Sequence, residues 1–140
     1  PGSIREIGYK SFSGCSGLRE ISIPSTVKTV GIGAFENCTE LKDISLPTTL
    51  TEINYYTFSG CTSLTTLTLH SKLTAINNYA FAGCKSLTEI HCKNSNPPLI
   101  GENTFRDVNR IGCKIFVPSK RAKKSYSTAL YWNEFTIYIE

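Results

Sequence analysis

The chain has 140 residues, 40% of them hydrophobic and 19% charged, with a formal net charge of +4. This composition is ordinary for a globular domain, and the charge is too mild to indicate nucleic-acid binding. No apolar run approaches the roughly 20 residues that a membrane-spanning helix needs. Residues 1–15 also lack the basic start and apolar stretch of a secretory signal.

A repeat of 23 residues dominates the chain. It is plainest in a phenylalanine column and a cysteine column, which consist of Phe12, Phe35, Phe58 and Phe81, and of Cys15, Cys38, Cys61 and Cys84. Further apolar columns keep the same register, and they begin at Ile4, Ile7, Leu18, Ile21 and Ile23. Several independent columns in one register predict a repeat architecture, in which every repeat forms one structural unit.

Each repeat is interpreted as one coil of a solenoid. The apolar pair Ile21-x-Ile23 has the spacing of one strand face, and Pro24 then ends the strand because it cannot donate to a ladder. The spacing of three between the Phe, Cys and Leu columns favours a short helical or 3₁₀ return. A coil cannot bury its apolar edge alone, so we expect coils to stack with parallel strands roughly 4.8 Å apart.

The first repeat begins in mid-coil, since Pro1 takes the register of Pro24 and Pro47. Terminal repeats normally need a polar cap, because an open end leaves apolar columns uncovered. The sequence therefore predicts further repeats upstream of Pro1 in the full-length product.

The fifth repeat is irregular and leads into a different kind of segment. Residues 94–98 interrupt it, the Phe column slips to Phe105, and Cys113, Ile115 and Val117 alternate in a last strand that Pro118 closes.

The repeat period disappears after Pro118. Ser119 is suited to N-cap a helix over about 120–130, and Tyr126, Ala129, Trp132 and Phe135 are expected to cover the open end of the core. A short strand is predicted over 135–140. We expect two parts, a solenoid of about five coils over residues 1–118 and a C-terminal cap over residues 119–140.

The repeat register resembles that of the BspA-like leucine-rich repeats of bacterial surface proteins. Residues 33–38 (Gly-Ala-Phe-Glu-Asn-Cys) and 79–84 (Tyr-Ala-Phe-Ala-Gly-Cys) carry the resemblance, and so does the tail from Cys92 to Glu140. The resemblance implies an α/β solenoid, a right-handed leucine-rich-repeat superhelix with one short strand per coil and a helical C-terminal cap. It also implies a bacterial cell-surface or secreted protein whose relatives adhere to host matrix proteins or to other bacteria. The family supplies no catalytic residues to carry over.

The outward side of the strands is the predicted interaction surface, because solenoids of this kind recognise partners along the sheet. Polar residues of the same kind recur there from coil to coil, although Ser and Thr also suit any solvated strand. The candidate residues are Arg19, Glu20, Ser22, Lys42, Asp43, Ser45, Thr66, Thr68, Glu89 and His91.

The six cysteines are interpreted as free, buried thiols, because Cys is small, apolar and often fully buried. A Cys92–Cys113 bridge is the remaining alternative. Stacked rungs do not converge on one point, so the sequence predicts no metal site. His91 and Cys92 are adjacent on a strand and must face opposite sides, so they cannot act as a base and nucleophile pair. The sequence predicts no cofactor and no enzyme activity.

Two further groups of side chains allow two interpretations each. Tyr55, Tyr56 and Tyr79 either pack over the return segment or form an aromatic patch suited to protein or glycan contact. The basic residues of the predicted helix form either its solvated face or a site for anionic polymers, and they are Lys120, Arg121, Lys123 and Lys124.

The function that we expect is a non-catalytic adhesion or protein-recognition module, and the resemblance implies that it is extracellular or at the cell surface. One alternative is a stiff spacer, roughly 24 Å long for five coils, that displays other domains. The other alternative is a glycan-binding surface.

Overall fold

A computed structural model describes residues 3–140 as a stack of parallel coils, which confirms the predicted solenoid. The register of Pro1, on which the expected upstream repeats depend, lies outside the described residues. The strands are, in chain order, β1 (Glu6–Ile7), β2 (Glu20–Ser22), β3 (Thr29–Val30), β4 (Asp43–Ser45), β5 (Glu52–Ile53), β6 (Thr66–Leu69), β7 (Ala75–Ile76), β8 (Glu89–Cys92), β9 (Leu99–Ile100), β10 (Lys114–Val117) and β11 (Thr136–Ile139). Helix α1 spans Lys120–Thr128, and a 3₁₀ turn spans Trp132–Glu134.

The predicted strands follow one another along the solenoid as a first ladder, whose parallel pairs fall into two sheets. Strand β2 pairs with β4, and β6, β8, β10 and β11 pair in that order. Residues 23 apart lie opposite each other, so Ile21 faces Ile44 and Leu67 faces Ile90. Because apolar and polar residues alternate along each strand, the apolar side chains lie on the inward side of the sheet and the polar ones on the outward side.

A second ladder runs beside the first and was not anticipated. It consists of the two-residue strands β1, β3, β5, β7 and β9. Its inward residues include Val30, Ile53 and Ile76, which are buried. A two-residue strand contributes a single inward side chain to each coil, and so it leaves no alternation in the sequence that would reveal it.

Both ladders are interrupted at the same coil boundary. Strand β4 is not hydrogen-bonded to β6, and β3 is not hydrogen-bonded to β5. The return side stays joined there, since the amides of Gly33, Phe35 and Asn37 donate to carbonyls of the following coil at 3.0, 2.9 and 2.7 Å. The backbone hydrogen bonds between the second and third coils therefore lie on the return side.

The returns are chains of tight turns rather than helices. Successive backbone amides donate alternately to a carbonyl three residues back and to a carbonyl of the next coil. Ala34 donates to Gly31 in the first way, and Phe35 donates to Thr57 in the second. Consecutive 3₁₀ bonds do not form, because every second amide bonds to the next coil. Gly14 and Asn37 lie in the left-handed region, with φ of 75° and 58°, as expected for the tight backbone beside the Cys column.

The core is built from the apolar columns of the repeat. Phe35, Phe58, Phe81 and Phe105 are buried and form one continuous stack with ring centroids 5.4 to 5.6 Å apart. The first coil differs, since Phe12 is 43% exposed and Cys15 is exposed. The prediction that every Cys of the column is buried is therefore wrong for Cys15, because no described coil covers that face.

The C-terminal segment covers the other end of the core, as predicted. The Ser119 side chain accepts a bond from the Ala122 amide at 3.1 Å and so caps α1. Tyr126 Oη donates to the Asn94 carbonyl at 2.9 Å, and Trp132 Nε1 donates to the Pro98 carbonyl at 2.8 Å. Strand β11 adds a further rung to the first ladder. The division at residue 118 stays a prediction.

Candidate interaction surface

The outward side of the first ladder, called the ladder face below, carries two rows of side chains. One row consists of Glu20, Asp43, Thr66, Glu89, Lys114 and Thr136, and the other consists of Ser22, Ser45, Thr68, His91, Phe116 and Tyr138. Eight of the ten residues proposed from the sequence are exposed, and Glu89 and His91 are half-buried. The structure therefore brings eight of the ten together in the two rows of the ladder face. Arg19 and Lys42 are exposed just before β2 and β4, and Arg19 pairs with Glu40 at 3.2 Å.

The second row changes its chemistry along the solenoid. The small hydroxyl side chains of the first three rungs give way to three rings, with His91 stacked on Phe116 at 4.8 Å and Phe116 tilted against Tyr138 at 5.7 Å. Phe116 is half-buried and Tyr138 is 40% exposed. We call His91, Phe116 and Tyr138 the aromatic end of the ladder face.

Sequence reasoning missed Phe116 and Tyr138 because the repeat loses its period there. They lie 25 and 22 residues after the preceding members of their row, so a column spaced by 23 does not find them. The alternation of Cys113, Ile115 and Val117 was the available signal, since it already places Phe116 on the outward side.

Charged groups surround the aromatic end. His91 Nε2 lies 3.0 Å from Glu89 Oε2, and His91 Nδ1 lies 2.7 Å from Glu140 Oε1. Lys93 Nζ lies 2.9 Å from Glu140 Oε2, and Lys114 Nζ lies 5.9 Å from the centre of the Tyr138 ring. Ionised side chains of both signs therefore flank the rings.

The ion pairs change how His91 titrates. Burial by itself would lower the pKa of His91, but the hydrogen bonds and charges of Glu89 and Glu140 outweigh it, so the pKa is raised above its usual value. Hydrogen bonds from Lys93 and His91 in turn lower the pKa of Glu140. The His91 imidazole thus links β8 to Glu140, which directly follows β11.

A cleft of about 490 Å³ lies at the other end of the ladder face, where β4 and β6 are not paired. It is lined by six polar residues and by two isoleucines, namely Glu20, Ser22, Asp43, Ser45, Thr66, Thr68, Ile21 and Ile44. Six of these are candidate residues from the sequence. The ladder face therefore has a cleft lined mainly by polar residues at one end and a ring cluster at the other.

Three cysteines of the repeat column act as structural hydrogen-bond donors. Sγ of Cys38, Cys61 and Cys84 lies 3.3, 3.5 and 3.3 Å from the carbonyl of the phenylalanine in the preceding coil. Burial raises the pKa of Cys84, Cys92 and Cys113 to about 12. All six thiols are free, and within residues 3–140 no group of His, Cys, Asp and Glu side chains could hold a metal ion.

The His91–Cys92 pair has the predicted orientation. Cys92 is fully buried, whereas His91 lies on the outward side between the two carboxylates. A buried, protonated thiol facing away from the imidazole cannot be activated by it.

The remaining predicted groups lie on other sides of the molecule. Tyr56 stacks on Tyr79 with ring centroids 4.9 Å apart, and Tyr55 is 44% exposed. The four basic residues of α1 are exposed, while its Ala122 and Tyr126 are buried. No helix within residues 3–140 is both long and apolar enough to cross a membrane.

Comparison with known proteins identifies the architecture. A family model described as the BspA type leucine rich repeat region matches residues 1–129 in six copies. A leucine rich cell surface protein of Faecalibacterium prausnitzii has a similar structure, with a TM-score of 0.78 and 28% identity over 97% of this chain and 33% of that one. A leucine rich repeat protein of T. pallidum gives 0.72 and 31% over 83% of this chain and 56% of that one.

A third structure shows the fold alone. The pneumococcal vaccine antigen PcpA gives a TM-score of 0.68 at 23% identity, over the whole of this chain and 40% of that one. No curated protein matches the sequence. The chain thus spans a third to about half the length of these relatives. The likeness to leucine-rich surface proteins indicates a protein-interaction or structural role.

Proposed function

Because the chain belongs to the BspA-type leucine-rich repeat family, we propose that it is a non-catalytic protein-recognition module that binds its partner through the ladder face. The observation that carries this proposal is the aromatic end. His91, Phe116 and Tyr138 form a stack of rings on the outward side of the sheet, whereas the first three rungs of that row carry only hydroxyl side chains.

The aromatic end has the make-up of an interface hot spot. Hot spots are enriched in aromatic side chains near well-packed pockets and are ringed by groups that exclude water. Phe116 packs between two rings, so its orientation is set before binding and little side-chain entropy is lost. The surrounding Glu89, Lys93 and Lys114 supply charges of both signs, which favour one orientation of the partner.

The cellular setting of the proposal comes from the relatives. The protein of Faecalibacterium prausnitzii is described as a cell surface protein. An extracellular or cell-surface position and an adhesive role for this chain are part of our proposal. The partner that we propose is an exposed protein of the host matrix.

The experiment measures binding of purified residues 1–140 to a panel of immobilised matrix proteins, namely fibronectin, fibrinogen, laminin and collagen, by surface plasmon resonance. Phe116→Ala and Tyr138→Ala are compared with Leu99→Ala. Leu99 is a matched control, because it is a 78% exposed strand residue of the second ladder. Loss of a hot-spot ring is expected to raise Kd by about thirtyfold, whereas Leu99→Ala should leave it unchanged.

Two results would reject the proposal. One is equal Kd for the parent and for both aromatic variants, which would place the contact elsewhere. The other is absence of binding to every protein of the panel at concentrations up to about 100 μM. The second result would favour the spacer alternative, in which the stacked coils display other domains and bind nothing.

A further inference from the structure

Helix α1 carries a group of basic side chains that neither the fold nor the proposed function uses. One side of the helix is attached to the solenoid, since Ala122 and Tyr126 are fully buried and Tyr126 bonds to the Asn94 carbonyl. The basic residues of the helix are all exposed, and we call them the basic face of α1. They are Lys120, Arg121, Lys123 and Lys124.

The basic face has no acidic partner in the part of the chain that the structure describes. Residues 108–133 contain six basic and no acidic residues. The acidic residues of the C-terminal cap are Glu134 and Glu140, and other cations already bind them. Glu134 lies 2.8 Å from Arg110, and Glu140 lies 2.9 Å from Lys93. Within residues 3–140 the basic face takes part in no ion pair, so solvent ions balance its charge.

The cations lie where the helix itself disfavours them. They all precede Ser125, and the first turn of α1 holds no acidic residue. The N-terminal end of a helix carries a partial positive charge, so cations there are repelled. Lys120 and Lys124 are also four residues apart, and like charges at that spacing repel each other. An anionic partner would neutralise these charges and relieve the repulsion.

A membrane surface is a poor match for this anionic partner. A helix that lies in a membrane interface buries its apolar face among the lipids. The apolar side of α1 instead covers the core of the solenoid, as the full burial of Ala122 and Tyr126 shows. Leu130 is exposed beyond the end of the helix, but one side chain provides little apolar area for insertion. A membrane would therefore lack the apolar part of its usual attachment.

A nucleic acid is also a poor match. Single strands stack their bases on aromatic side chains, and Tyr126, the aromatic residue of α1, is buried. Proteins that bind a duplex usually carry a basic stripe along a whole face. Residues 1–100 contain eight basic and seven acidic residues, so the repeats provide no such stripe. The positive charge is concentrated at the C-terminal end of the chain.

We propose that the basic face of α1 binds a sulfated polysaccharide. The sulfate groups of such a polymer are permanent anions on a hydrated chain, and their recognition needs cations and N–H donors. Lysine and arginine side chains supply both. Basic runs of this length are a known feature of sites for heparin-like polymers, and residues 120–124 read Lys-Arg-Ala-Lys-Lys.

The helix holds these cations in place before a ligand arrives. The Ser119 side chain caps α1 by accepting from the Ala122 amide at 3.1 Å, and the buried Tyr126 fixes the helix on the solenoid. The backbone that carries the basic face is therefore already ordered, which lowers the entropy lost on binding. The polysaccharide and the protein partner of the ladder face would contact different residues.

The test measures binding to immobilised heparin, and to fully desulfated heparin of equal length, by surface plasmon resonance. One variant replaces the basic face with Lys120→Gln, Arg121→Gln, Lys123→Gln and Lys124→Gln. A matched control replaces one arginine and three lysines that are exposed in the repeats, with Arg5→Gln, Lys28→Gln, Lys72→Gln and Lys85→Gln. Both variants lose the same charge from a chain of formal charge +4, so they differ only in where the charge was.

The parent is expected to bind heparin with a Kd below about 100 μM at roughly 0.15 M salt, and desulfated heparin is not. Loss of the basic face should raise this Kd about a hundredfold or more. It should also lower the slope of log Kd against log salt by about one for each cation removed. The control should change Kd by less than about threefold, because salt screens distant charges.

Two further measurements separate this proposal from a structural role and from the ladder face. The thermal midpoint of the basic-face variant is expected to match or exceed that of the parent, because the repulsion is removed. A midpoint below that of the control variant would show that the fold needs these cations and would overturn the proposal. Phe116→Ala should bind heparin as the parent does, so the two proposals can fail separately.

Several binding results would also overturn the proposal. These are absence of heparin binding by the parent, equal binding of desulfated heparin, and equal loss of binding in the control variant. Displacement of the protein from heparin by duplex DNA, at a lower concentration than free heparin needs, would overturn it in favour of a nucleic acid. Tighter binding to phosphatidylserine vesicles than to heparin would overturn it in favour of a membrane surface.

Discussion

Truncation of Phe58 to Ala tests the stacked core on which every surface of the molecule depends. Phe58 is fully buried, and its ring lies between Phe35 and Phe81 at centroid distances of 5.5 and 5.4 Å. Loss of a buried phenylalanine side chain costs about 3–5 kcal/mol, including the cavity that remains. We expect the upper part of this range, since two ring contacts disappear together.

Phe12→Ala is the matched control, because Phe12 occupies the same column and stacks on Phe35 at 5.3 Å. Phe12 is 43% exposed and has one ring neighbour in the described structure. It therefore has less surface to lose and leaves no closed cavity, so its truncation should cost less than about 2 kcal/mol. The two variants differ in position within the stack and not in chemistry.

Urea unfolding followed by circular dichroism, together with calorimetry, measures both variants against the parent. Phe58→Ala is expected to lower the Tm by about 14–17 °C, and Phe12→Ala by less than about 7 °C. If Phe58→Ala unfolded like the parent, or if the two substitutions cost the same free energy, the rings would not form the buried stack and the reasoning would fail.

Three further predictions concern titration and thiol chemistry. A thiol reagent should label one cysteine of the folded protein, Cys15, and all six after unfolding; labelling of several in the native state would contradict the buried column. Above about pH 9 the free energy of unfolding should fall by roughly 1.4 kcal/mol per pH unit for each buried thiol. The reason is that these thiols ionise in the unfolded state but stay protonated in the folded state. Cys84→Ala should reduce this slope. The contacts of the protonated His91 ring with Glu89 and Glu140, called the His91 clasp, stabilise the fold below the unfolded pKa of about 6.5. This stabilisation is lost as pH rises through the raised pKa of folded His91. NMR titration should therefore show Glu140→Gln lowering that pKa, and an unchanged value would exclude the clasp.

Much of the fold could be predicted because the repeat constrains inward-facing positions in every coil. A side chain such as Leu67 contacts the coils before and after it, so each coil needs an apolar residue of similar size at that place. The helix cap at Ser119 was predictable for a local reason, since the hydroxyl and the amide it accepts from lie within one turn.

The candidate site was only partly predictable, because an outward residue has no neighbour that dictates its identity. Alternation placed Glu20, Asp43 and His91 on the outward side of the sheet, as observed. It did not reveal the ring stack, which depends on the register of strands joined by connections of irregular length.

The sequence by itself determined the solenoid, its inward columns and the capping helix, because each follows from a period or from contacts within a few residues. Tertiary structure alone decided the second ladder, the interruption of both ladders at one coil boundary, and the clasp between His91 and Glu140, which are 49 residues apart. These features depend on how neighbouring coils pack, and the free energy of that packing comes from contacts between residues that are far apart in the sequence. No single segment of the chain carries a signal for it.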